Sequence, residues 1–360
     1  MDLTAELRGF LPMFPAGPLT RPADFLTARR LAGSLRADGL PYGGPHDPRR
    51  TVSDLLVFRL DGGAAPPLVV KHPRSPRAMA ALTRECEVVQ RLEHDERLGP
   101  WHRFVPRVEH RRLHGPLPLV AQRCLPGIEG DALLQRFPQL THETAMSALR
   151  AIRALHLATG QAEEVTARLG GWIDPRLAVL AQEVRWCRRS HGADAMSVLR
   201  DRLLRTLSGR SLLVGWTHGD FHPGNVLVTR EHAGVLGVID WAGAVPDGPS
   251  AVDCYTFVLT MRHQHEGSQF GRVVADAVRQ ASLRPEDRRL LAEAGEPATD
   301  SQGETALTLL TWLWHVAGNV AKSARYGRSR RWVAENVVPV LSEVVAQAGP
   351  DRTSRRTPHA

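Results

Sequence analysis

Three side chains near the middle of the sequence have the types and the spacing that phosphoryl transfer requires. Asp220 and Asn225 lie five positions apart across a Pro-Gly turn, and Asp240 follows a short predicted hairpin. The same Asp-to-Asn spacing occurs in the catalytic loop of kinases. A carboxylate can take the proton of an acceptor hydroxyl, and amide and carboxylate oxygens suit Mg²⁺. The pattern therefore predicts Asp220 as general base and Asn225 and Asp240 as magnesium ligands, although either Asp alone would be read as structural.

Three further residues, two of them beside Asp220 in the sequence, are expected to support this loop. His218 is predicted to be a hydrogen-bonding strut, and His222 to shape the loop or to lie on its phosphate side. A zinc site at this histidine pair is disfavoured, because the segment contains Pro and Gly and is not the helix that His-x-x-x-His spacing requires. Asp253 is expected to begin or brace a helix and thereby to support the catalytic loop.

Lysine is scarce in this chain, so the lysine that ends a predicted strand is informative. Of 46 Lys and Arg residues only Lys71 and Lys322 are lysine. The compact ammonium of Lys71 could reach phosphate oxygens where a planar guanidinium would not fit, although a solvent-exposed strand end is the alternative. Kinase-like folds pair such a lysine with a glutamate on the next helix. Glu85 is favoured over Glu87, because apolar residues three and four positions further on would share its inward face.

Two kinds of periodicity divide the chain. Runs rich in β-branched residues as far as residue 123 predict a strand-rich half, whereas helical periodicity dominates from about residue 131. The Leu125-Pro126-Gly127 break between them suits a connector of two lobes. The expected organisation is an extension over 1–40, a nucleotide-binding lobe over 41–124, a catalytic and acceptor-binding lobe over 125–348 and a disordered tail over 349–360.

The individual elements follow from the same patterns. Residues 41–50 are rich in Pro and Gly and are predicted to be a loop. Asp174-Pro175 has the form of an N-cap followed by Pro at the first helical position, which predicts a helix start. The predicted strands cover 52–60, 67–71, 104–109 and 117–123, and the predicted helices cover 22–38, 78–92, 141–157, 249–263, 303–324 and 330–347.

Taken together, these motifs resemble the aminoglycoside phosphotransferase and choline kinase-like family, which is distantly similar to protein kinases. The resemblance implies an α+β, bilobal protein kinase-like fold, with a small sheet lobe that carries one main helix and a larger, mostly helical lobe. It implies Mg²⁺ with ATP, or with GTP, as phosphoryl donor and a small-molecule hydroxyl as acceptor. The motifs that carry it are Leu68-Val69-Val70-Lys71, Arg84-Glu85, Leu125-Pro126-Gly127, the 218–225 loop, Ile239-Asp240-Trp241 and Gly248–Asp253, which together span roughly residues 50–260.

The segment that would hold the nucleotide phosphates departs from the family pattern. The family has a glycine-rich or small-residue loop between its first two strands, whereas residues 48–54 contain no glycine. Ser53 is expected to bond a phosphate instead, and Arg49 or Arg50 could add positive charge. The missing glycines leave the affinity for nucleotide, and the choice between ATP and GTP, open.

Two further sets of residues are candidates for lining the ligands. Gln122 and Cys124 precede the connector and are placed to offer backbone groups to the base of a nucleotide. Trp312, Trp314 and His315 lie on a late helix and could line an acceptor pocket, but packing in the core of the helical lobe is the preferred interpretation.

The composition narrows the class of protein. The formal net charge of +8 is spread along the chain without a nucleic-acid-binding motif, so nucleic acid is disfavoured as a partner. Four widely spaced cysteines indicate reduced thiols, and the absence of a signal-like or membrane-spanning segment predicts a cytoplasmic protein.

The acceptor cannot be read from the sequence. An antibiotic, a sugar and an amino alcohol are all compatible with the motifs, and the basic charge is a mild argument against polycationic aminoglycosides. The alternative to a small-molecule kinase is a catalytically weak kinase-like module that senses nucleotide or binds a partner, and the altered phosphate loop is its motivation.

Overall fold

The computed structural model describes residues 22–63, 65–231 and 233–349. Packing groups the described residues into two compact units. Unit 1 contains the described residues up to Ala148 together with Pro223–Ala242, and unit 2 contains Leu149–His222 and the described residues from Gly243 onward. The predicted lobe boundary at 124/125 stays a prediction, since this grouping changes unit at 148/149 instead. Residues 1–21 of the predicted extension and residues 350–360 of the predicted tail lie outside the described residues.

Helices and strands alternate in the first half of the chain, and helices dominate the second. The elements up to residue 159 are α1 (Pro22–Ala37), β1 (Pro45–Arg50), β2 (Leu55–Gly62), β3 (Ala65–Pro73), α2 (Pro76–Glu93), β4 (Val108–Arg112), β5 (Leu119–Arg123), β6 (Ile128–Glu129), α3 (Gly130–Arg136) and α4 (Thr141–Thr159). The elements that follow are β7 (Gln161–Glu164), α5 (Thr166–Glu183), α6 (Ser190–Leu207), β8 (Ser211–Thr217), β9 (Val226–Val228), β10 (Val235–Val238), β11 (Val245–Pro249), α7 (Ala251–Glu266), α8 (Phe270–Arg279), α9 (Pro285–Glu293), α10 (Ser301–Lys322), α11 (Ala324–Arg328), α12 (Arg330–Asn336) and α13 (Val338–Ala348).

Unit 1 is built on a five-stranded antiparallel sheet in the order β1-β2-β3-β5-β4. Side chains alternate between the two faces of a strand, so β2 presents Phe58 to one face and Val57 to the other. Leu31 and Leu35 of α1 pack in the cluster of Phe58, whereas Leu82 of α2 packs in the cluster of Val57. The sheet is thus covered on both faces, and α1 belongs to its core although the sequence placed these residues in an extension.

The first strand was not expected from the sequence. Residues 45–50 form β1, where the Pro-rich composition predicted a loop. Pro45 and Pro48 are compatible with a strand here because β1 lies at the edge of the sheet, where a missing N–H need not break a ladder. The register with β2 also shifts between His46 and Arg49, which accommodates the irregular backbone.

Unit 2 is mostly helical and has α10 at its centre. This helix is buried around most of its circumference, as expected for an apolar helix inside a bundle. It packs against α5, α6, α7 and α8. A three-stranded sheet in the order β11-β8-β7 completes the unit. Within the described residues, no helix combines the length and the apolar character that crossing a membrane requires.

Two helix predictions in this unit were wrong in their boundaries. α5 begins at Thr166 and continues through Pro175, where the sequence predicted a start. An interior proline removes one backbone hydrogen bond, but buried Leu169, Trp172 and Ile173 anchor the turns before it to the core. The predicted helix over 330–347 is divided at Val337 into α12 and α13.

Candidate active site

A buried lysine with two acidic partners lies at the centre of the candidate site in unit 1. Lys71 on β3 donates to Glu85 Oε1 at 2.6 Å and to Asp240 Oδ1 at 2.8 Å. Gln122 Nε2 on β5 donates to the same oxygen of Glu85 at 3.2 Å. The structure therefore brings Lys71 and Glu85 together as expected, whereas Glu87 points to solvent.

The charge of Lys71 is stabilised by these partners. Burial by itself would lower the pKa of Lys71, but the carboxylates of Asp240 and Glu85 outweigh burial and hold the pKa above its ordinary value. Lys71 and Glu85 are nearly fully buried, whereas half of the Asp240 side chain is exposed. The cluster thus presents a fixed ammonium and an accessible carboxylate, a combination that can bind a metal-nucleotide complex.

A hairpin positions the two predicted magnesium ligands. Asn225 immediately precedes β9, Asp240 follows β10 by two residues, and these strands pair antiparallel. Ile239 N donates to Asn225 O at 2.9 Å, which fixes the two residues at the same end of the hairpin. Asp240 has a left-handed backbone with a φ of 64°. An amide and a carboxylate are hard oxygen donors that fit Mg²⁺, which needs few protein ligands when phosphates supply others.

The turn between β1 and β2 is closed without glycine. Thr51 Oγ1 accepts from Leu55 N at 3.1 Å and lies 2.9 Å from Ser53 Oγ. Asp54 takes the left-handed conformation with a φ of 61°, a role that glycine often has. The hydroxyl of Ser53, predicted to bond a phosphate, therefore has a partner within the turn. Arg49 lies 3.3 Å from Glu129.

The residues predicted to meet the base of a nucleotide lie at the end of β5. The backbone of Gln122 is part of the sheet, and its side chain binds Glu85. Cys124 N donates to Pro67 O at 2.8 Å. A backbone contact from Cys124 to a base would therefore have to come from its carbonyl group.

In unit 2, a buried aspartate binds the start of the loop that carries the predicted base, Asp220. The carboxylate of Asp253 on α7 accepts from His218 N at 2.7 Å and from Gly219 N at 2.8 Å. It also lies 3.0 Å from His156 Nε2, and both side chains are completely buried. Asp253 thus contacts the backbone of the loop that it was predicted to support, and its supporting role stays a prediction.

Close packing explains the glycine that precedes the predicted base. Gly219 has a φ of 76°, which is unfavourable for other residues. A Cβ at this position would come within 2.6 Å of Gly243 O. The ring of His218 packs edge-on to Phe221, with centroids 6.0 Å apart. Position 219 therefore has neither the backbone conformation nor the space for a larger residue.

Asp220 is buried and bonded by a lysine that the sequence did not connect with it. Lys322, the last residue of α10, donates to Asp220 Oδ2. His222 Nε2 lies 3.7 Å from the same oxygen. Burial would raise the pKa of Asp220, but the positive charge of Lys322, with contributions from His222 and His315, holds it below its ordinary value. Asp220 is therefore a carboxylate at neutral pH, as a proton acceptor must be.

Lys322 is the main residue of this cluster that sequence reasoning missed. Its partner is 102 positions away, so no local pattern links the two. The available signal was its rarity, since it is one of two lysines in a chain of 360 residues. Of the late-helix residues, Trp312 is core packing as preferred, with Nε1 donating to Asn336 O at 2.8 Å.

The fold and these clusters define a class: a kinase-like phosphotransferase, with a sheet lysine paired to a helix glutamate and an Asp-bearing loop. The phosphotransferase enzyme family model matches residues 49–289. The chain belongs to this family and is a small-molecule phosphotransferase. No curated protein sequence is significantly similar to the chain.

Three solved structures with similar folds each cover between 81% and 89% of this chain. The GDP complex of aminoglycoside 2′-phosphotransferase-IIIa has a TM-score of 0.55 at 14% identity and covers 89% of this chain and 99% of its own. A putative fructosamine-3-kinase from Thermobifida fusca has a TM-score of 0.54 at 16% sequence identity, and the match covers 88% of this chain and 99% of the kinase. Aminoglycoside phosphotransferase APH(3′′)-Id from Streptomyces rimosus, in complex with ADP and streptomycin, has a TM-score of 0.50 at 19% sequence identity. The match covers 81% of this chain and 98% of that protein. Such identities establish the fold alone, and the predicted kinase-like class is confirmed.

Proposed function

We propose that this enzyme transfers the γ-phosphoryl group of ATP or GTP to a hydroxyl group of a small molecule. The observation that carries the proposal is buried Lys71 held between Glu85 and Asp240. Burying the charges of Lys71 and Glu85 costs free energy that their attraction only partly repays, so stability alone is a weak explanation for this arrangement. Binding nucleotide phosphates beside a metal-binding carboxylate is the use that the family membership supports.

The donor side is assigned to residues of unit 1. Lys71, oriented by Glu85, would bind phosphate oxygens of the nucleotide, and Asn225 and Asp240 would hold Mg²⁺. When bound, Mg²⁺ would neutralise charge on the phosphates. Two structural relatives are described with ADP and with GDP, so both ATP and GTP are kept as donors.

The acceptor side is assigned to Asp220. Its carboxylate would accept the proton of the acceptor hydroxyl while that oxygen forms a bond to the γ-phosphorus. The bond between the γ-phosphorus and the β–γ bridging oxygen breaks, and its electron pair leaves with the nucleoside diphosphate. The proton passes from Asp220 to water. Positioning by the loop that Asp253 holds supplies much of the rate enhancement in such a reaction.

The first test is thermal unfolding of the wild type with Mg-ATP and with Mg-GTP. A nucleotide at about a hundred times its Kd adds about 2.7 kcal/mol to the free energy of unfolding and raises the melting temperature. The shift should shrink in Asp240→Ala, which lacks the carboxylate, and persist in Asp247→Ala, whose exposed carboxylate pairs with Arg168.

The opposite result would have a clear meaning. If neither nucleotide at millimolar concentration shifts the melting temperature, the glycine-free turn of residues 51–54 does not support nucleotide binding. The kinase assignment would then fall, and a catalytically weak module that binds a partner would replace it. A shift that is equal in Asp240→Ala and the wild type would remove Asp240 from the metal site.

A further inference from the structure

The last two residues of β1 are arginines whose side chains lie on opposite faces of the five-stranded sheet. Arg50 is opposite Leu56, which packs in the core beside α1, and its guanidinium binds Asp24 at 3.0 Å. Arg49 is opposite Val57, which packs on the side of α2. Because side chains alternate along a strand, Arg49 belongs to the α2 face, whereas Arg50 is bound on the α1 face.

The α2 face also carries the lysine of the candidate site. Val57, the residue opposite Arg49, is in turn opposite Lys71 on β3. Directly opposed residues of neighbouring strands project to the same face, and neighbouring strands lie about 4.8 Å apart. Arg49 and Lys71 are therefore in one row across the sheet, with their backbones about 10 Å apart. Two long side chains can contact one chain of phosphates across such a distance.

The partner of Arg49 lies beside the hairpin that carries the predicted magnesium ligands. Arg49 Nη2 lies 3.3 Å from Glu129 Oε1. Glu129 belongs to β6, which pairs with β9 just after Asn225. The next residue, Gly130, packs so closely that a Cβ there would be 2.7 Å from Pro223 O. Glu129 is thus fixed next to the segment that ends in Asn225.

Several charges meet at Glu129. Burial raises the pKa of Glu129, and the positive charge of Arg49 opposes burial. The carboxylates of Asp131 and Asp240 act in the same direction as burial. Asp240 is therefore close enough to interact electrostatically with Glu129, and the ion pair between Arg49 and Glu129 lies near the candidate metal site.

The ion pair is weak enough to be exchanged for another partner. The side chains of Arg49 and Glu129 are 43% and 25% exposed, and exposed ion pairs contribute little to stability. A guanidinium binds a phosphate group through two parallel hydrogen bonds and meets more negative charge there than on one carboxylate. The turn over residues 51–54 has no glycine, and the hydroxyl groups of Thr51 and Ser53 lie 2.9 Å apart. Arg49 is thus the charged group that this end of β1 can offer to phosphates.

We propose that nucleotide binding breaks the ion pair between Arg49 and Glu129: the guanidinium of Arg49 moves to a phosphate oxygen and replaces contacts that a glycine-rich loop would make. The proposal deepens the proposed function and rests on it, because the ligand is the phosphoryl donor. In the free enzyme Glu129 holds Arg49, so Glu129 competes with the phosphates for one guanidinium. The two members of this ion pair should therefore affect the affinity for nucleotide in opposite directions.

The test is titration calorimetry of the full chain with Mg-ATP and with Mg-GTP. Arg49→Gln should weaken binding about tenfold, as expected for the loss of a charge-assisted hydrogen bond, and Arg49→Lys should weaken it less. Glu129→Gln should strengthen binding about two- to fivefold, because the free enzyme no longer has an ion pair to break. A gain in affinity cannot arise from a folding defect.

Arg107 and Glu93 form a matched control pair in the same unit. Their side chains are 3.0 Å apart and are more exposed than those of Arg49 and Glu129. Arg107 directly precedes β4, at the opposite edge of the sheet from β1. Arg107→Gln and Glu93→Gln should leave the affinity unchanged.

The double variant Arg49→Gln with Glu129→Gln tests whether the two effects are coupled. It should bind nucleotide no more tightly than Arg49→Gln alone, since no guanidinium remains to be released. A gain from Glu129→Gln that persists in the double variant would mean that Glu129 only repels the ligand, and the proposed exchange would fall.

Two other outcomes would overturn the proposal: equal affinities of Arg49→Gln and the wild type, or weaker binding by Glu129→Gln than by the wild type, which would make Glu129 a ligand-binding residue. Failure of the proposed function has a different signature, because the folded wild type would then bind neither nucleotide and both proposals would fall. Binding by the wild type with the same affinity in every variant would remove the exchange and leave the nucleotide site standing.

Discussion

Asp253 determines the conformation of the residue next to the predicted base. One carboxylate accepts two consecutive backbone N–H groups and lies beside His156. Those N–H groups belong to His218 and Gly219, so the direction of the chain at Asp220 depends on them. Hydrogen bonds to a buried charged acceptor are stronger than neutral ones, and the site is fully buried. The carboxylate therefore supports both stability and positioning.

Replacing Asp253 by Asn should reduce both stability and rate. An amide presents one oxygen and one donor group where two N–H groups now meet a carboxylate, so at least one buried N–H loses its acceptor. We expect a loss of about 3 kcal/mol in the free energy of unfolding. We also expect the rate of phosphoryl transfer to fall by a factor of about ten. Urea unfolding and product formation, both at a temperature where the variant is folded, measure the two effects.

Asp287→Asn is the matched control for this substitution. Asp287 is also a buried carboxylate, but it binds Arg262 and does not contact the loop. The Asp287→Asn variant should lose stability but keep the wild-type rate of phosphoryl transfer. Asp253→Asn with lost stability and a wild-type rate would reduce Asp253 to a purely structural residue.

Individual residues differ in how well the sequence predicted them. Glu85 could be chosen over Glu87 because helical periodicity indicates which side of α2 faces inward. In the structure Lys71 indeed contacts Glu85. Lys322 could not be assigned to Asp220, because their contact depends on how α10 packs in unit 2. The side chain of Gln122 could not be assigned to Glu85 for the same reason, since it depends on the pairing of β3 with β5.

At the scale of elements, α1 is linked by ion pairs to residues that adjoin the turn between β1 and β2, which is predicted to lie near the nucleotide phosphates. Asp24 on α1 is nearly fully buried and binds Arg50, the last residue of β1, at 3.0 Å and Arg74, just after β3, at 2.9 Å. Arg74 N in turn donates to Asp54 O in the turn between β1 and β2, at 3.0 Å. One carboxylate thus links the helix with both sides of the segment predicted to cover the phosphates.

Asp24→Asn should therefore affect nucleotide binding as well as stability. The substitution leaves two guanidinium groups without their shared carboxylate, which should cost about 2 kcal/mol of folding free energy because both are partly exposed. A looser turn should weaken the binding of Mg-nucleotide several-fold, which titration calorimetry measures.

The control for Asp24 lies at the other end of the same helix. Asp38 directly follows α1 and binds Arg112 on β4 at 2.8 Å. Asp38→Asn should leave the affinity for nucleotide unchanged. Equal affinities in the two variants and the wild type would show that α1 supports the sheet without shaping the turn.

Element types were easier to predict than their boundaries and their membership of a core. Strong periodicity gave α2 and α10 within two residues at each end, because a continuous apolar stripe determines where a helix is buried. β1 was missed because its prolines are compatible with a strand only at an edge, and edge position is a property of the whole sheet. α1 was found as a helix, but its place in the core of unit 1 depends on packing that sequence periodicity does not specify.

At the scale of the molecule, acid should destabilise this enzyme through a buried histidine. Burial lowers the pKa of His315 to about 4, and His222, Lys322 and His263 act in the same direction, although Asp220 opposes them. The unfolded chain has an ordinary histidine pKa of about 6.5. Between these two values the unfolded state binds more protons than the folded state, so stability must fall as the pH falls.

His315→Gln should flatten this dependence. The wild type should lose up to about 1.4 kcal/mol of unfolding free energy for each pH unit between roughly 6.5 and 4 because of His315, whereas the variant lacks that loss. The measurement is the urea midpoint of both proteins at a series of pH values, with His265→Gln, an exposed histidine on α7, as control.

The pairing of Asp220 with Lys322 is not affected in this window, because the pKa of Asp220 is held below its ordinary value and its stabilisation is lost only at still lower pH. Parallel curves for His315→Gln and the wild type would mean that His315 takes up its proton as readily in the folded enzyme as in the unfolded chain, and the pH dependence would then have to come from other groups.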